Sequence, residues 1–213
     1  MFKAEKGNIQ IAMIGWSNEI FSIAKEMELD VKIVVDPSVS SSIPNEIKHY
    51  SSDTDFICET HDAKLLFAID DNLVRERVTA FYEQHDYDIL SLKSGFVSKT
   101  SHYGRGLICQ RFSVISDNCN IGNHVRLNTG AIVTHDVNIG SYSTIAPGAV
   151  ILGRTIIGNG VYVGANSTIL GDLEIANNVT IGAGAVVTKN IAEGKIVAGV
   201  PAKELKRKNK NIN

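Results

Sequence analysis

The sequence is poor in the residues that staple or stiffen a chain. It has three cysteines, four prolines and one tryptophan in 213 residues. Cys58, Cys109 and Cys119 form an odd, unpatterned set, which argues against a disulfide framework. Cys109 and Cys119 read as small core fillers, so reduced thiols and a cytosolic home are expected. No apolar run approaches the roughly 20 residues of a membrane span. The opening Met1-Phe2-Lys3-Ala4-Glu5-Lys6 is polar rather than signal-like, so no membrane insertion is expected. Positive charge is not in excess either. The net charge is −2, with 21% charged residues, so no basic field argues for nucleic acid. These absences leave a soluble, intracellular chain with enough core for one large or two modest domains.

What is present is a repeat. From Ile115 to Val187 every sixth residue is aliphatic: Ile115, Ile121, Leu127, Val133, Ile139, Ile145, Ile151, Ile157, Val163, Ile169, Ile175, Ile181 and Val187. Two residues before each stands a small or branched residue, with Leu173 the one bulky exception. Gly or Ala often follows, as at Gly122, Gly140, Ala146, Gly158, Gly164, Ala176 and Gly182. A period of six is neither helical nor simple strand alternation. It fits a solenoid of short parallel strands whose corners recur at fixed intervals, each aliphatic residue stacking on the next at about 4.8 Å. The phase extends back through Cys109, Tyr103 and Val97, so the solenoid begins near residue 94. It breaks at Glu193, and Ile196 to Lys203 closes it, followed by a basic tail from Lys206 to Lys210.

The first 90 residues read differently. Ile9 to Ile14 is an apolar run ending at Gly15, which predicts a buried strand and a turn. Ser17-Asn18-Glu19 is a candidate cap for a helix carrying Ile20, Ile23, Ala24 and Met27. Strands are predicted at Val31 to Val35, Leu65 to Ile69 and Tyr87 to Leu92. Residues 38 to 62 read as irregular, and a helix opening at Asp70-Asp71-Asn72 turns Val74, Val78 and Phe81 to one face. Alternating strands and helices imply a small α/β, Rossmann-like unit over residues 1–92, with the β-helix over 93–213.

The register, together with the closing Ala198-Gly199-Val200-Pro201-Ala202-Lys203, resembles the left-handed parallel β-helix acyltransferases. More narrowly, Leu127-Asn128-Thr129-Gly130-Ala131-Ile132-Val133-Thr134-His135-Asp136 resembles the bacterial sugar acetyltransferases. These include sialic acid O-acetyltransferases and N-acetyltransferases of nucleotide-linked 4-amino sugars of the bacillosamine and perosamine type. The resemblance implies a cytoplasmic homotrimer with sites between neighbouring β-helices, acetyl-CoA as co-substrate and a nucleotide-linked amino sugar as acceptor.

Acetyl transfer needs a base, oxyanion donors and a slot for coenzyme A. His135 is the candidate base, two residues past an interior position and so near a corner. The resemblance implies that Asp136 supports it, whereas an isolated His in a turn is ordinarily just surface. Asn128 resembles a residue that contacts the sugar, and reads equally as a corner Asn in a left-handed backbone. Gly153 matches a position facing the thioester, or is a structural turn glycine. Thr144 stands where relatives carry a second His near coenzyme A, and Ala165 and Ala183 fall along the same implied groove. Lys203 and Lys206 are either phosphate contacts or a solvated tail.

The N-terminal turn departs from the family. Gly15-Trp16-Ser17-Asn18-Glu19-Ile20 has one glycine and no His, and Glu19 takes the His position. A carboxylate there repels a pyrophosphate but pairs with an ammonium. Ser17, Glu19, Asp36 and Asp70 are the candidate acceptor-binding residues, with ordinary turn chemistry as the other reading. Asp36 falls where an acidic residue hydrogen-bonds a ribose or base, and Asp70 replaces a glycine of the family's strand-end signature. Sugar O-acetylation stays open beside N-acetylation. A zinc enzyme of γ-type carbonic anhydrase kind has only His102, His124 and His135 within the repeat to draw on, so no metal is expected. A non-catalytic scaffold is disfavoured by the His135-Asp136 pair.

Overall fold

In the computed structural model, which describes residues 10–38, 41–59 and 63–205, the six-residue period is one side of a three-sided coil. Ile9, the Met1–Lys6 opening and the tail from Lys206 onward lie outside the described residues. The chain divides into two compact units, Met1–Ser94 and Gly95–Asn213.

Each eighteen residues of the second unit make one turn with three two-residue strands, and strands eighteen apart pair in parallel. Face one stacks Phe96–Val97, Val114–Ile115, Ile132–Val133, Val150–Ile151, Thr168–Ile169 and Val186–Val187. Face two stacks His102–Tyr103, Asn120–Ile121, Asn138–Ile139, Ile156–Ile157 and Glu174–Ile175. Face three runs from Ile108–Cys109 through Arg126–Leu127, Thr144–Ile145, Tyr162–Val163 and Thr180–Ile181 to Ile196–Ala198. This is a left-handed parallel β-helix. Tyr103 of the first strand on face two is exposed, whereas from Ile108–Cys109 to Ile196–Ala198 the second residue of each strand points inward. Together with the small residue two before it, it forms a continuous buried core running from Leu107 to Val197. Small companions are required because three faces converge on a narrow axis, and a larger side chain there overpacks it.

The corners explain the rest of the pattern. Every sixth residue from Gly106 to Gly184 has φ between 54 and 69°. Five of these fourteen are glycine and five are Asn or Asp; the others are Phe112, His124, Tyr142 and Arg154. Non-glycine residues give up about 1–2 kcal/mol in this region, Asn and Asp least. Asn128 is not among them, so its reading as a left-handed corner residue is corrected: Gly130 takes that conformation.

The register shortens after Val187. Glu193 is out of phase as expected, but Ile191, two residues early, bridges to Ile175, and Val197 follows six later against Ile181. Lys203–Glu204 then turns back antiparallel on Ile196–Ala198 and ends the stack.

In the first unit, β1 (Ile11–Ile14), β2 (Val31–Val35), β3 (Lys48–Tyr50) and β4 (Lys64–Phe67) form a parallel sheet in the order β3-β2-β1-β4. The helices are α1 (Asn18–Glu26), α2 (Asp53–Glu59) and α3 (Asn72–Glu83). Both β3 and α2 lie in the stretch that reads as irregular from its serines. His49, Tyr50 and Phe56 anchor them through tertiary contacts that no local pattern displays. Tyr50, Phe56, Phe67, Tyr82 and Tyr87 pack as an aromatic cluster. The strand expected at Tyr87 to Leu92 contributes only a bridge from Ile89 to Leu65 in this sheet. On α3 the buried face is Arg75, Thr79 and Tyr82, with Val78 and Phe81 beside it and Val74 exposed. The shift follows from Arg75, whose guanidinium donates to the carbonyls of Ile69 and Asp70 at 2.8 and 3.0 Å and so satisfies the strand end. Met27 falls at the C-cap of α1 and is exposed. Among the described residues no helix is long and apolar enough to cross a membrane.

Candidate active site

The corner between face one and face two carries His135. Its Nδ1 lies 2.7 Å from Asp136 Oδ2, and both side chains are about half exposed. A carboxylate only accepts, so Nδ1 carries a proton and the tautomer with a free Nε2 lone pair is the one this contact favours. Asp136 is held below the usual carboxylate range by the His135 hydrogen bond first, and also by Asn118 and by the charge of Arg154. Its backbone N–H donates to Asp117 O at 3.0 Å, and Arg154 N–H donates to His135 O at 3.2 Å, so the corner is tied to the coils on either side.

The imidazole lies against the next coil, over Gly153. A β-carbon there would stand 2.6 Å from His135 Cε1 and 2.8 Å from Nε2. Gly153 is not among the left-handed residues, so its glycine serves space and not backbone conformation. Gly171 continues the column and leaves bare main chain for a second coil. Arg154 and Asp172 pair through two contacts of 2.6 and 2.7 Å along the same edge. On the preceding coil Asp117 accepts from the hydroxyls of Ser98 and Thr100, and this lowers its pKa. Asp117, Arg154 and Asp172 escape a six-residue reading. An eighteen-residue reading, which stacks 117 under 135 under 153, exposes them.

The other expected residues are distributed around the coil. Asn128 sits at the corner between faces three and one, so face one separates it from His135 in the same chain. Its carboxamide oxygen accepts from Nε of the buried Arg126 at 2.9 Å, which leaves the amide N–H groups to offer. Ala165 and Ala183 share that corner. Thr144 is buried in a strand of face three. Lys203 is exposed in the terminal strand. His102, His124 and His135 fall on face two and two different corners, and among the described residues no group of three or more His, Cys, Asp or Glu is arranged to hold a metal.

In the first unit a cleft of about 450 Å³ opens at the C-terminal ends of β1, β2 and β4, where ligands of such sheets bind. Gly15, Trp16, Asp36, Asp70 and Arg77 are among the residues that line it. Gly15 has φ 78°, and a β-carbon there would meet Ile69 Cγ1 at 2.9 Å. Asp36 is already engaged, accepting from Trp16 N at 2.8 Å and from Ser38 N and Oγ at 2.8 and 2.5 Å. Ser17 and Glu19 are not in the lining. The Ser17 hydroxyl caps α1 by accepting from Ile20 N at 3.3 Å, and Glu19 is exposed on the first turn.

Residues 113–153 and 154–189 match the family model described as bacterial transferase hexapeptide (six repeats). The sequence has no significant match among curated proteins. Among solved structures, the acetyltransferase domain of PglB from Neisseria gonorrhoeae, in complex with acetyl coenzyme A, is similar with a TM-score of 0.87. The identity is 25%, over 93% of this chain and 100% of that one. WeeI from Acinetobacter baumannii gives 0.83 at 27%, over 92% and 100%. A variant of GDP-perosamine N-acetyl transferase from Caulobacter crescentus, in complex with CoA and GDP-perosamine, gives 0.87 at 22%, over 95% and 100%, a likeness of fold. Residues 113–189 thus carry transferase hexapeptide repeats, and the matches together support an acyltransferase. Over nearly its whole length the chain is similar to acetyltransferases that share this left-handed β-helix.

Proposed function

We propose that the protein is an acetyl-CoA-dependent N-acetyltransferase. Its acceptor is a nucleotide-activated amino sugar of the 4-amino-4,6-dideoxy type, destined for a surface glycan, and it works as a cytoplasmic homotrimer. The observation that carries the reading is the His135 ring, oriented by Asp136 through Nδ1 and set with Nε2 over the bare backbone of Gly153. The amine nitrogen attacks the thioester carbonyl carbon while Nε2 takes the amine proton. The C–S bond then breaks, and the protonated His135 returns that proton to the coenzyme A thiolate, leaving an amide and a free thiol.

Face one supports the trimer. Its outward residues Phe96, Val114, Ile132, Val150 and Val186 make an apolar stripe interrupted by Thr168, with Phe96 62% and Ile132 37% exposed. Three copies packed with this face toward a threefold axis bring the Asn128 corner of one chain against the His135 corner of the next. Residues separated by a face in one chain then meet between chains, as do Gly153 and the Ala165–Ala183 edge. In the first unit, Asp36, Asp53, Asp70 and Asp71 line the cleft against Arg77. That balance suits the hydroxyl and N–H donors of a nucleoside better than its diphosphate, which we assign to the outside of the carboxylate cluster.

The test is thiol release from acetyl-CoA against nucleotide-linked 4-amino sugars and free sialic acids, with His135→Ala in parallel. Turnover on an amine, lost in the variant, is expected. Turnover only on a hydroxyl acceptor makes the enzyme an O-acetyltransferase. Failure to bind acetyl-CoA overturns the reading.

A further inference from the structure

The corner that carries Asn128 holds one residue out of character. Its left-handed positions, one per coil, are Phe112, Gly130, Gly148, Asn166 and Gly184. Four suit that backbone, and a phenylalanine with φ 60° does not. Nor does burial compensate, since Phe112 is 80% exposed, the most exposed large apolar side chain among the described residues. A strained and solvated aromatic ring has no account within a single chain. Strain of this kind concentrates at ligand contacts.

Its height along the β-helix says what it faces. At eighteen residues per coil, Phe112 stands one coil, about 4.8 Å, before Gly130 on the Asn128 edge. In the symmetric arrangement above, that edge meets the neighbour's His135 corner. There Phe112 lies between the levels of Thr100 and Asn118, opposite Asp117. The Asp117 carboxylate is exposed, steadied by Ser98 and Thr100, and one coil before the base. The coil after the base carries Gly153, whose bare backbone the ring covers, so Phe112 and Asp117 stand on the opposite side of His135.

We infer that Phe112 of one copy and Asp117 of the adjacent copy form the acceptor subsite. The phenyl ring stacks on the C–H face of the amino sugar's pyranose ring, and the carboxylate takes a hydrogen bond from its hydroxyl or ammonium group. The inference rests on the acetyltransferase reading and on the threefold arrangement. It adds the residues that recognise the sugar ring itself, as distinct from the nucleotide.

Phe112→Gly is the decisive variant, because glycine suits the left-handed backbone and the fold is not put at risk. The acceptor KM should rise about three- to tenfold. The acetyl-CoA KM, the trimer mass and the melting temperature should hold, the last rising if it moves. Phe112→Tyr should restore the parent KM, and Asp117→Asn should also raise it. An unchanged acceptor KM in Phe112→Gly overturns the subsite, and so does dissociation of the trimer, which would make Phe112 an interface anchor. If no acceptor turns over in the parent, the functional reading has failed separately. Saturation-transfer NMR with a methyl 4-amino-4,6-dideoxypyranoside then decides the subsite. Transfer to the sugar ring protons, lost in Phe112→Gly, supports it, and transfer unchanged by the substitution, or absent from the parent, refutes it.

Discussion

Replacing Gly153 by alanine adds one methyl group to the molecule at the place where the proposed catalytic geometry is most exposed to it. The new carbon would lie 2.6, 2.8 and 3.1 Å from His135 Cε1, Nε2 and Nδ1, where ordinary contact begins at 3.4 Å. The ring must therefore retreat by about 0.8 Å, either by rotating off Asp136 or by swinging into solvent. The fold tolerates this. The Gly153 backbone is not left-handed and the imidazole is more than half exposed, so stability should change by no more than about 1 kcal/mol. Catalysis should not tolerate it, since misplacing a reacting group by about 1 Å costs on the order of 10²-fold in rate. The assay is steady-state thiol release at saturating acceptor, with acetyl-CoA binding by calorimetry and a thermal melt alongside. A kcat within twofold of the parent would refute the claim that Gly153 exists to seat the ring. A preserved kcat with weakened acetyl-CoA binding would assign it to the donor slot instead.

Two further outcomes are expected. Asp117, Asp136 and Asp172 are all held below the ordinary carboxylate pKa, chiefly by the Ser98 hydroxyl, His135 and Arg154 respectively. The folded chain thus binds fewer protons than the unfolded one in acid. The stabilisation is complete above the ordinary value of about 4 and is lost as pH falls through the lowered values. The melting temperature should drop in that window, and less steeply in the triple Asn variant; an identical acid slope in both would refute the coupling. Ile132→Glu, on the outward side of face one, should yield a folded but monomeric protein by sedimentation, inactive with acceptor. A trimer that survives the charge would remove face one as the interface.

How much was legible depended on how local the determining physics is. Turn chemistry around Ser17 and Asp71 was readable because an N-cap is made by residues three apart. By contrast, β3 and α2 were hidden. Tyr50 and Phe56 are held by an aromatic cluster whose other members come from β4, α3 and the segment after α3. The Val74 face of α3 was misplaced because burying Arg75 depends on the strand-end carbonyls it satisfies. Ser17 and Glu19 looked like ligand contacts from their place in a turn, but the direction of α1 sets them outside the cleft.

The β-helix shows the division most clearly. Sequence alone determined the coil, because an interior only two side chains deep forces an aliphatic residue at every sixth position and a compact one two before it. The pairing of His135 with Asp136 was legible for another reason: the two are neighbours in the chain, and the family resemblance implies it. Only the tertiary structure decided that Gly153 makes room for His135, that Asp117 and Arg154 flank it, and that Asn128 lies a full face away. Those relations run along the stack at intervals of eighteen residues. They depend on which way a side chain leaves its corner, and one period of the sequence does not encode that direction.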